Sequence, residues 1–436
     1  MTDALGSPWL AYAVLVTVTI ASRLRCESWF APGAFVGLVW SFFTGASLLV
    51  VDYPVPARGM WMLVLLIVAI QLGAWLVHEL QPRKADAGIV SPHHLDRLIV
   101  PCRRYGLICT VVAMIGCIYF LFTSLNEFGL DFTPIAVLEV GARWTHLRYD
   151  DVLEPWSVRL LVMWLHPAAL LGGILFACSR QWLDRAIGVI TLSPALVYGV
   201  LTGARAAILL GLTCWIGGYV ATLCVKDSAS VGMFSGKRLI HLGLTAAFLV
   251  GMFVGIDSVR DTSWVHAVIL DVHEEKLSNY MFGSPAAFAD WYAHNDVGDA
   301  EWGARTLAGV FDLLRLKARV AGRYQETSNL IGTEVTNVYT LFRGLIEDFT
   351  ETGALLIAAC IGGMGGWVYR SRSGSRSVLL SLSAFYAAFL YSPIVSLFSF
   401  NGAILAWLVA GAVMFFATPH TGRPAPLLHG PEVATP

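Results

Sequence analysis

Long apolar runs recur along this chain, and they constrain its fold more than any other feature. A helix needs about 20 mostly apolar residues to cross the hydrocarbon core of a bilayer. Runs near that length predict eleven spans, at 7–22, 29–51, 59–80, 104–124, 157–178, 186–202, 204–225, 239–256, 352–369, 377–397 and 401–418. We therefore expect an all-α fold, a polytopic transmembrane helical bundle with a large, partly helical external loop.

The composition agrees with this fold class and excludes several others. The chain is 56% hydrophobic and only 14% charged, whereas a soluble domain carries about a quarter charged residues. Its net charge of -1, without a basic stripe or zinc-finger spacing, gives no support to nucleic-acid binding. The eight cysteines lie outside the predicted external segments and lack metal-site spacing, so we expect neither a disulfide framework nor a metal site.

The distribution of Lys and Arg in the short loops predicts the orientation of the chain. These residues concentrate after the odd-numbered spans: Arg23, Arg25, Arg83, Lys84, Arg97, Arg103, Arg104, Arg180, Arg185, Lys226, Lys237, Arg238, Arg370, Arg372 and Arg376. The loops on the other side hold far fewer. We therefore expect the N-terminus outside and the C-terminus in the cytoplasm.

The spans divide the chain into four regions. Residues 1–256 hold the first eight spans, with an outer loop at 124–156. Residues 257–350 form a large external loop, and residues 351–418 hold the last three spans. Residues 419–436, which are rich in Pro and Gly, are expected to be disordered. Within the large loop, residues 305–323 have the pattern of a cationic amphipathic helix, lying either at lipid headgroups or on the membrane domain.

The end of the large loop carries charges at helical spacing. Tyr339, Arg343, Glu347 and Asp348 would share one face of a helix that enters the membrane at about Gly353. Charge at such a boundary is costly and is often retained for function. The alternatives to a functional role are structural. Arg343 and Glu347 would form an ion pair within the helix, and Asp348 would accept a hydrogen bond that positions the helix.

Three short sequence motifs follow one another between residues 202 and 349. They are Thr-Gly-Ala-Arg ending at Arg205, the segment from Tyr280 to Phe288, and Asn337-Val-Tyr-Thr340 followed by Arg343 and Asp348-Phe349. Together they resemble the O-antigen, or oligosaccharide repeat-unit, polymerase family, over most of the chain between Arg143 and Gly366. The chain departs from the family pattern at Ala204, where Ser is common, and at Thr350, where Gly is common.

The resemblance implies a function and a location. It implies a multi-pass protein of the bacterial inner membrane with an external, periplasmic site. There an inverting, metal-independent glycosyltransferase would move a growing glycan from undecaprenyl diphosphate to an incoming lipid-linked repeat unit, for O-antigen, capsule or exopolysaccharide. No cofactor is implied. The expected partners are the lipid-linked oligosaccharide and membrane lipids, and a chain-length regulator is left open.

The chemistry needs fixed cations at the leaving diphosphate and a base near the acceptor hydroxyl. Arg205 and Arg343 are the predicted cations, because guanidinium pairs bidentately with phosphate oxygens. Asp348 and Glu347 are the predicted base, followed by Asp257, Asp261 and Asp290. The predicted substrate-binding residues are Arg143, Arg148, Arg260, Tyr280, Tyr339 and Asn337.

Two other functions remain open. A ligase that transfers finished glycan would require one essential external histidine, among His146, His266, His273 and His294. A transporter or flippase would carry charges inside several spans and would have interrupted helices. The predicted spans are nearly free of charge and the polar residues gather at their outer ends, which favours an external site.

Overall fold

In a computed structural model of the chain, the described residues are 6–51, 53–81, 93–149, 154–226, 282–294, 298–316, 328–331, 334–336, 339–371 and 375–416. The predicted span 239–256 and the predicted site residues Arg260, Tyr280 and Asn337 lie outside them, as do Asp257, Asp261, His266 and His273.

Helices form nearly all of the described part. In chain order they are α1 Pro8–Cys26, α2 Pro32–Val50, α3 Ala57–Leu80, α4 His93–Phe128, α5 Pro134–Tyr149, α6 Trp156–Val162, α7 Leu165–Cys178, α8 Trp182–Ile190, α9 Ser193–Thr202, α10 Arg205–Lys226, α11 Ser284–His294, α12 Ala308–Leu313, α13 Leu341–Arg370, α14 Arg376–Tyr391 and α15 Asn401–Phe416. A 3₁₀ turn, Leu397–Ser399, precedes α15.

Within the described ranges, eight helical stretches are long and apolar enough to cross a membrane, counting α6 with α7 and α8 with α9 as single stretches. The others are α1, α2, α3, α4, α10 and α13, whereas α14 and α15 are shorter apolar helices. The structure therefore confirms a polytopic helical bundle. It does not establish the predicted count of eleven spans.

Local sequence explains several helix boundaries. Proline occupies the first turn of α1, α2 and α9, where its missing N–H costs nothing. Helix α9 ends at Gly203, whose φ of 58° lies in the left-handed region that closes a helix. Arg205 begins α10 immediately afterwards. The predicted break between two spans at Gly203 is confirmed.

The closest helix packing joins α3 to α13 through glycine. A Cβ on Gly362 would clash with the carbonyl oxygen of Ile70, and one on Gly73 would clash with that of Ala359. Small residues let two backbones approach in this way where lipid gives no hydrophobic drive for association. This packing holds α13, which begins at the candidate site, against the centre of the bundle.

Cationic side chains bind helix ends together at one end of the bundle, here called the basic end. Arg25 of α1 pairs with Glu79 of α3 at 2.6 Å, and Arg370 donates to the carbonyls of His78 and Gln81. Lys226 donates to the carbonyl of Ala177, and Arg376 to that of Met414. Cations favour the negative end of the helix dipole, so the contacts of Arg370, Lys226 and Arg376 also neutralise terminal carbonyl groups.

The large loop departs from expectation in two places. The sequence predicts an amphipathic helix over residues 305–323, but among the described residues only Ala308–Leu313 is helical. Arg315 has a φ of 54°, which interrupts a right-handed helix. Residues 317–323 lie outside the described part. The prediction is therefore wrong for residues 305–307 and 314–316. A short antiparallel hairpin, β1 Ser328–Ile331 with β2 Glu334–Thr336, adds the strands that an all-α class omits.

Candidate functional site

A sharp kink divides α13 and creates the centre of the candidate site. Thr350 has φ 62° and ψ 174°, so the helix stops at residue 349 and resumes at 351. This backbone conformation is close to one that only glycine adopts easily. Because the helix stops there, the carbonyl groups of Glu347 and Asp348 lose their usual helical donors and accept from the backbone N–H groups of Glu301 and Trp302, at 3.1 and 3.0 Å.

The side chain of Asp348 completes this attachment. Its carboxylate is fully buried and accepts from the backbone N–H of Arg305 at 2.9 Å and that of Thr306 at 2.7 Å. The Thr306 hydroxyl donates to the same carboxylate. Three donors account for a carboxylate that would otherwise be costly to bury. Asp348 therefore positions residues 301–306, which is the structural alternative left open by its sequence.

The neighbouring Glu347 has a different environment. Its Oε1 accepts from Nε of Arg343 at 2.8 Å, and its Oε2 lies 3.7 Å from Nε of Arg305. Among the described residues, Oε2 accepts no hydrogen bond although it is buried. Arg305 in turn pairs with Glu301 at 2.9 Å. The result is a chain of alternating charges, Arg343–Glu347–Arg305–Glu301, called here the charge cluster.

Aromatic rings enclose the buried guanidinium of Arg343. It is 3% exposed and lies 4.2 Å from the ring centroid of Tyr339 and 4.8 Å from that of Trp291. Rings offer a negative face to a cation, and the effect grows when water is excluded. Tyr339, a predicted substrate-binding residue, precedes α13 and is itself buried. Within the described part of the chain, its ring packs against the guanidinium of Arg343.

Two further carboxylates near the site have tyrosine partners. Tyr53 donates to Asp290 at 2.6 Å, and this hydrogen bond is the main cause that raises the pKa of Tyr53 to about 12. The phenol therefore stays protonated near neutral pH. Tyr292 donates to Glu351, just after the kink, at 2.7 Å. Asp290 also lies 3.1 Å from His294.

Arg205 lies at the first residue of α10 and is buried. One turn later, Leu209 and Leu210 pack with Tyr391 and Leu397 in a common apolar cluster. The turn containing Leu397 also holds the 301–306 segment, because Ser396 donates to the Thr306 carbonyl at 2.6 Å and Ser399 to that of Arg305 at 3.2 Å. Arg205 and the charge cluster therefore lie toward the same end of the bundle, opposite the basic end.

The remaining predicted residues have other surroundings. Arg143 is exposed on α5, where it pairs with Glu139 one turn away and lies over the ring of Phe128. Arg148 lies on the same helix, but its side chain is outside the described part. His146 and His294 are exposed. Substrate binding by Arg143 and Arg148 stays a prediction.

Sequence reasoning did not single out several residues that build the site. Glu301, Trp302, Thr306 and Ser396 all contact the start of α13 or the segment bound to it. The four-residue spacing of Glu301 and Arg305 was an available signal, because it suits an ion pair. Nothing in the local sequence indicates that the amides of residues 305 and 306 would meet Asp348, 42 positions later.

The fold and the site define a helical protein with membrane-crossing helices and a partly buried charge cluster at one end. Compared with protein-family models, with curated proteins and with solved structures, the chain matches none. The resemblance to glycan polymerases therefore rests on the sequence motifs alone.

Proposed function

We propose that the protein is a membrane glycosyltransferase that polymerises lipid-diphosphate-linked oligosaccharide repeat units. The observation that carries this proposal is the charge cluster, in which a buried guanidinium, Arg343, is joined to a carboxylate, Glu347, at 2.8 Å. A cation and a base held together in a water-poor site suit a reaction that expels a diphosphate and removes a hydroxyl proton.

The two carboxylates at the start of α13 receive different roles. Asp348 is occupied by three donors from residues 305 and 306. Oε2 of Glu347 accepts no hydrogen bond among the described residues. We therefore assign proton removal from the acceptor hydroxyl to Glu347, and we assign Asp348 the task of positioning the 301–306 segment. An inverting displacement needs such a base on the side opposite the leaving group.

The arginines divide between two tasks. Arg343 and Arg305 hold the carboxylate of Glu347, and Arg205, at the start of α10, would stabilise the negative charge that develops on the departing diphosphate. Arg305 lies 3.7 Å from Glu347, so the cluster couples the base to a second cation. The Lys and Arg residues of the predicted cytoplasmic loops support an orientation in which this chemistry lies outside the cytoplasm, where lipid-linked repeat units would be joined.

The test is the length distribution of surface glycan in a deletion strain that carries single variants. We expect Glu347→Gln, Arg343→Ala and Arg205→Ala to lower polymer formation at least about 100-fold, the usual effect of losing an acid–base or charge-stabilising group. Each variant should remain inserted, and single repeat units should accumulate on the capped lipid. Arg25→Ala, which removes an exposed pair at the basic end, is the control and should give the wild-type ladder.

The other outcomes identify the competing functions. Long lipid-linked polymer without capping would indicate a ligase. Repeat units retained on the cytoplasmic side would indicate a flippase. Wild-type ladders from Glu347→Gln and Arg343→Ala would overturn the assigned site, and unchanged glycan in the deletion strain would overturn the function itself.

A further inference from the structure

The segment 301–316 turns a row of apolar side chains away from the protein. Apart from Arg315, its exposed residues are all large and apolar, and together they are called here the apolar face: Trp302, Leu307, Leu313, Leu314 and Leu316. Leu314 is 63% exposed. The sequence predicts this segment within the external loop, where water would surround these side chains. A cluster of exposed apolar groups instead marks a contact with lipid or with another protein.

The opposite side of the segment is fixed to the bundle by polar and small residues. Asn401, the first residue of α15, donates to the Asp312 carboxylate at 2.7 Å. Gly309 lies so close to α15 that a Cβ there would be 3.1 Å from Cδ1 of Ile404. Polar groups thus face the protein and apolar groups face its surroundings, which is the reverse of the arrangement in a soluble domain.

Most backbone donors of the segment are used inside the protein. The N–H groups of Glu301 and Trp302 donate to carbonyls of α13, and those of residues 305 and 306 donate to the Asp348 carboxylate. The N–H groups of residues 304, 307, 310, 311, 314, 315 and 316 donate to carbonyls of the segment itself. Backbone groups in lipid must be satisfied within the protein because water is scarce there. These donors meet that requirement although the segment is mostly irregular.

Helix α15, on which the segment packs, is too short to cross a bilayer alone. It has 16 residues, or about 24 Å, against a hydrocarbon core of about 30 Å. Its last turn lies at the basic end, where Arg376 binds the Met414 carbonyl. Its first turn contacts α7, since a Cβ on Gly402 would be 2.4 Å from Nδ1 of His166. The stretch Trp156–Cys178 continues about ten residues beyond that contact, so α15 begins about 15 Å short of the far end of its neighbour.

The apolar face continues a helix surface that suits lipid. Ile404, which lies next to Gly309, shares a face of α15 with Leu408 and Phe415, one and three turns later. Both are exposed, at 64% and 44%, on a helix of apolar composition. The segment therefore occupies the depth that α15 leaves open, beside side chains that already face outward from the bundle.

We propose that the apolar face docks into the acyl chains of the bilayer, in the leaflet at the end opposite the basic end. Residues 302–316 then lie where headgroups meet acyl chains. Tryptophan is enriched at that boundary, and Arg315 can extend its guanidinium to the headgroup phosphates between the leucines. Glu301 and Arg305 belong to the same segment, so docking fixes the charge cluster at headgroup depth. The proposal does not depend on the reaction that the protein performs.

Spin labels on single cysteines test the docking. The background, Cys26→Ser with Cys360→Ser, removes the two native cysteines that are not buried. Leu314→Cys carries the label on the apolar face. Leu408→Cys, at nearly the same exposure on α15, is the lipid reference, and Gly298→Cys, exposed with open space around its Cβ, is the water reference. The full chain is placed in nanodiscs of phosphatidylethanolamine and phosphatidylglycerol.

Collisions with oxygen, which concentrates in lipid, and with a water-soluble nickel chelate report the surroundings of each label. We expect oxygen to relax the Leu314→Cys label more than the chelate does, as at Leu408→Cys, and the reverse at Gly298→Cys. A ratio at Leu314→Cys equal to that at Gly298→Cys would place the face in water and overturn the proposal. A label that neither reagent reaches would show that protein covers the face, from this chain or a second copy, and would overturn it as well.

Charge placed on the apolar face tests whether it holds the segment in the lipid. We expect Leu314→Glu with Leu316→Glu to shift a label at Leu307→Cys from oxygen toward the nickel chelate, because a carboxylate is costly in hydrocarbon. Leu314→Met with Leu316→Met keeps the face apolar and is the matched control, which should leave the label unchanged. An equal response of the label in both double variants would overturn docking by these leucines.

Discussion

Thr350 shows how one residue determines the shape of the candidate site. Its φ of 62° ends the first part of α13, which leaves the carbonyls of Glu347 and Asp348 to accept from Glu301 and Trp302. Threonine is β-branched and poorly suited to this region, which costs about 1–3 kcal/mol. The chain therefore keeps an unfavourable backbone conformation where the resembling family commonly has glycine.

Replacing this residue with glycine should stabilise the protein. We expect Thr350→Gly to raise the free energy of unfolding by about 1 kcal/mol, because relief of backbone strain exceeds the added entropy of the unfolded chain. The measurement is thermal unfolding of the purified protein in detergent. Thr352→Gly is the matched control: Thr352 is exposed and helical, so glycine there should cost about 0.5–1 kcal/mol. Equal losses in both variants would contradict the strain at Thr350.

Asp348 supplies a second prediction at the residue scale. We expect Asp348→Asn to lower the free energy of unfolding by about 2–4 kcal/mol, because the amide keeps one acceptor oxygen and turns its NH2 toward one of the two backbone N–H groups that the carboxylate accepts. Glu347→Gln should lower the free energy of unfolding less than Asp348→Asn does, because glutamine keeps a side-chain oxygen that can accept from Nε of Arg343. Unfolding curves of both variants separate a positioning carboxylate from a base; a fully stable but inactive Asp348→Asn protein would restore Asp348 as the base.

At the scale of the helices, α13 connects the site to the core through its packing on α3. Gly362 has no room for a side chain against the Ile70 carbonyl, whereas a Cβ on the adjacent Gly363 would meet its nearest atom at 3.6 Å. The two glycines therefore differ in purpose although they are neighbours. Gly362 permits close contact between the two helices, whereas a Cβ on Gly363 would make only an ordinary van der Waals contact.

Alanine substitutions separate these two purposes. We expect Gly362→Ala to destabilise the protein by about 2 kcal/mol or more, because backbone atoms cannot move away as a flexible side chain can. Gly363→Ala should be neutral or stabilising by up to about 1 kcal/mol, since alanine favours the helix. Thermal unfolding in detergent measures both. Equal effects of the two substitutions would contradict the described contact between α3 and α13.

The helices also show what sequence could predict here. Apolar length alone located ten of the predicted spans on described helices, and Gly203 marked a helix break. The four-residue spacing of Arg343 and Glu347 offered their ion pair as an alternative to a ligand role for Arg343, and the pair is present. Residues 305–307 were predicted helical, but the amides of residues 305 and 306 bind Asp348, and local periodicity holds no information on a contact between such distant positions. Local sequence patterns predict the helices. The hydrogen bonds between distant residues that build the site are found only once the fold is known.

At the scale of the whole molecule, two groups of described polar contacts lie at opposite ends of the helical bundle. Arg25, Lys226, Arg370 and Arg376 bind helix ends at one of them. The charge cluster, with its partners in the 301–306 segment and the turn before α15, lies at the other. The residues of the basic end are among those from which the sequence predicts the cytoplasmic side, so the orientation of the two ends stays a prediction.

Labelling of single cysteines tests that orientation. The background is Cys26→Ser with Cys360→Ser, which removes the two native cysteines that are not buried. In it, Gly298→Cys, an exposed position near the charge cluster with open space around its Cβ, should react with a membrane-impermeant maleimide in cells with a permeabilised outer membrane. Ser377→Cys, exposed at the basic end, should react only after lysis.

The reverse labelling pattern would place the charge cluster in the cytoplasm. The proposed reaction would then lack access to repeat units on the outer face, because a diphosphate-linked glycan does not cross the hydrocarbon core unaided. Labelling at both positions in intact cells would show that one of them is not sealed by the membrane. Reaction of Gly298→Cys alone is the result that the predicted orientation requires.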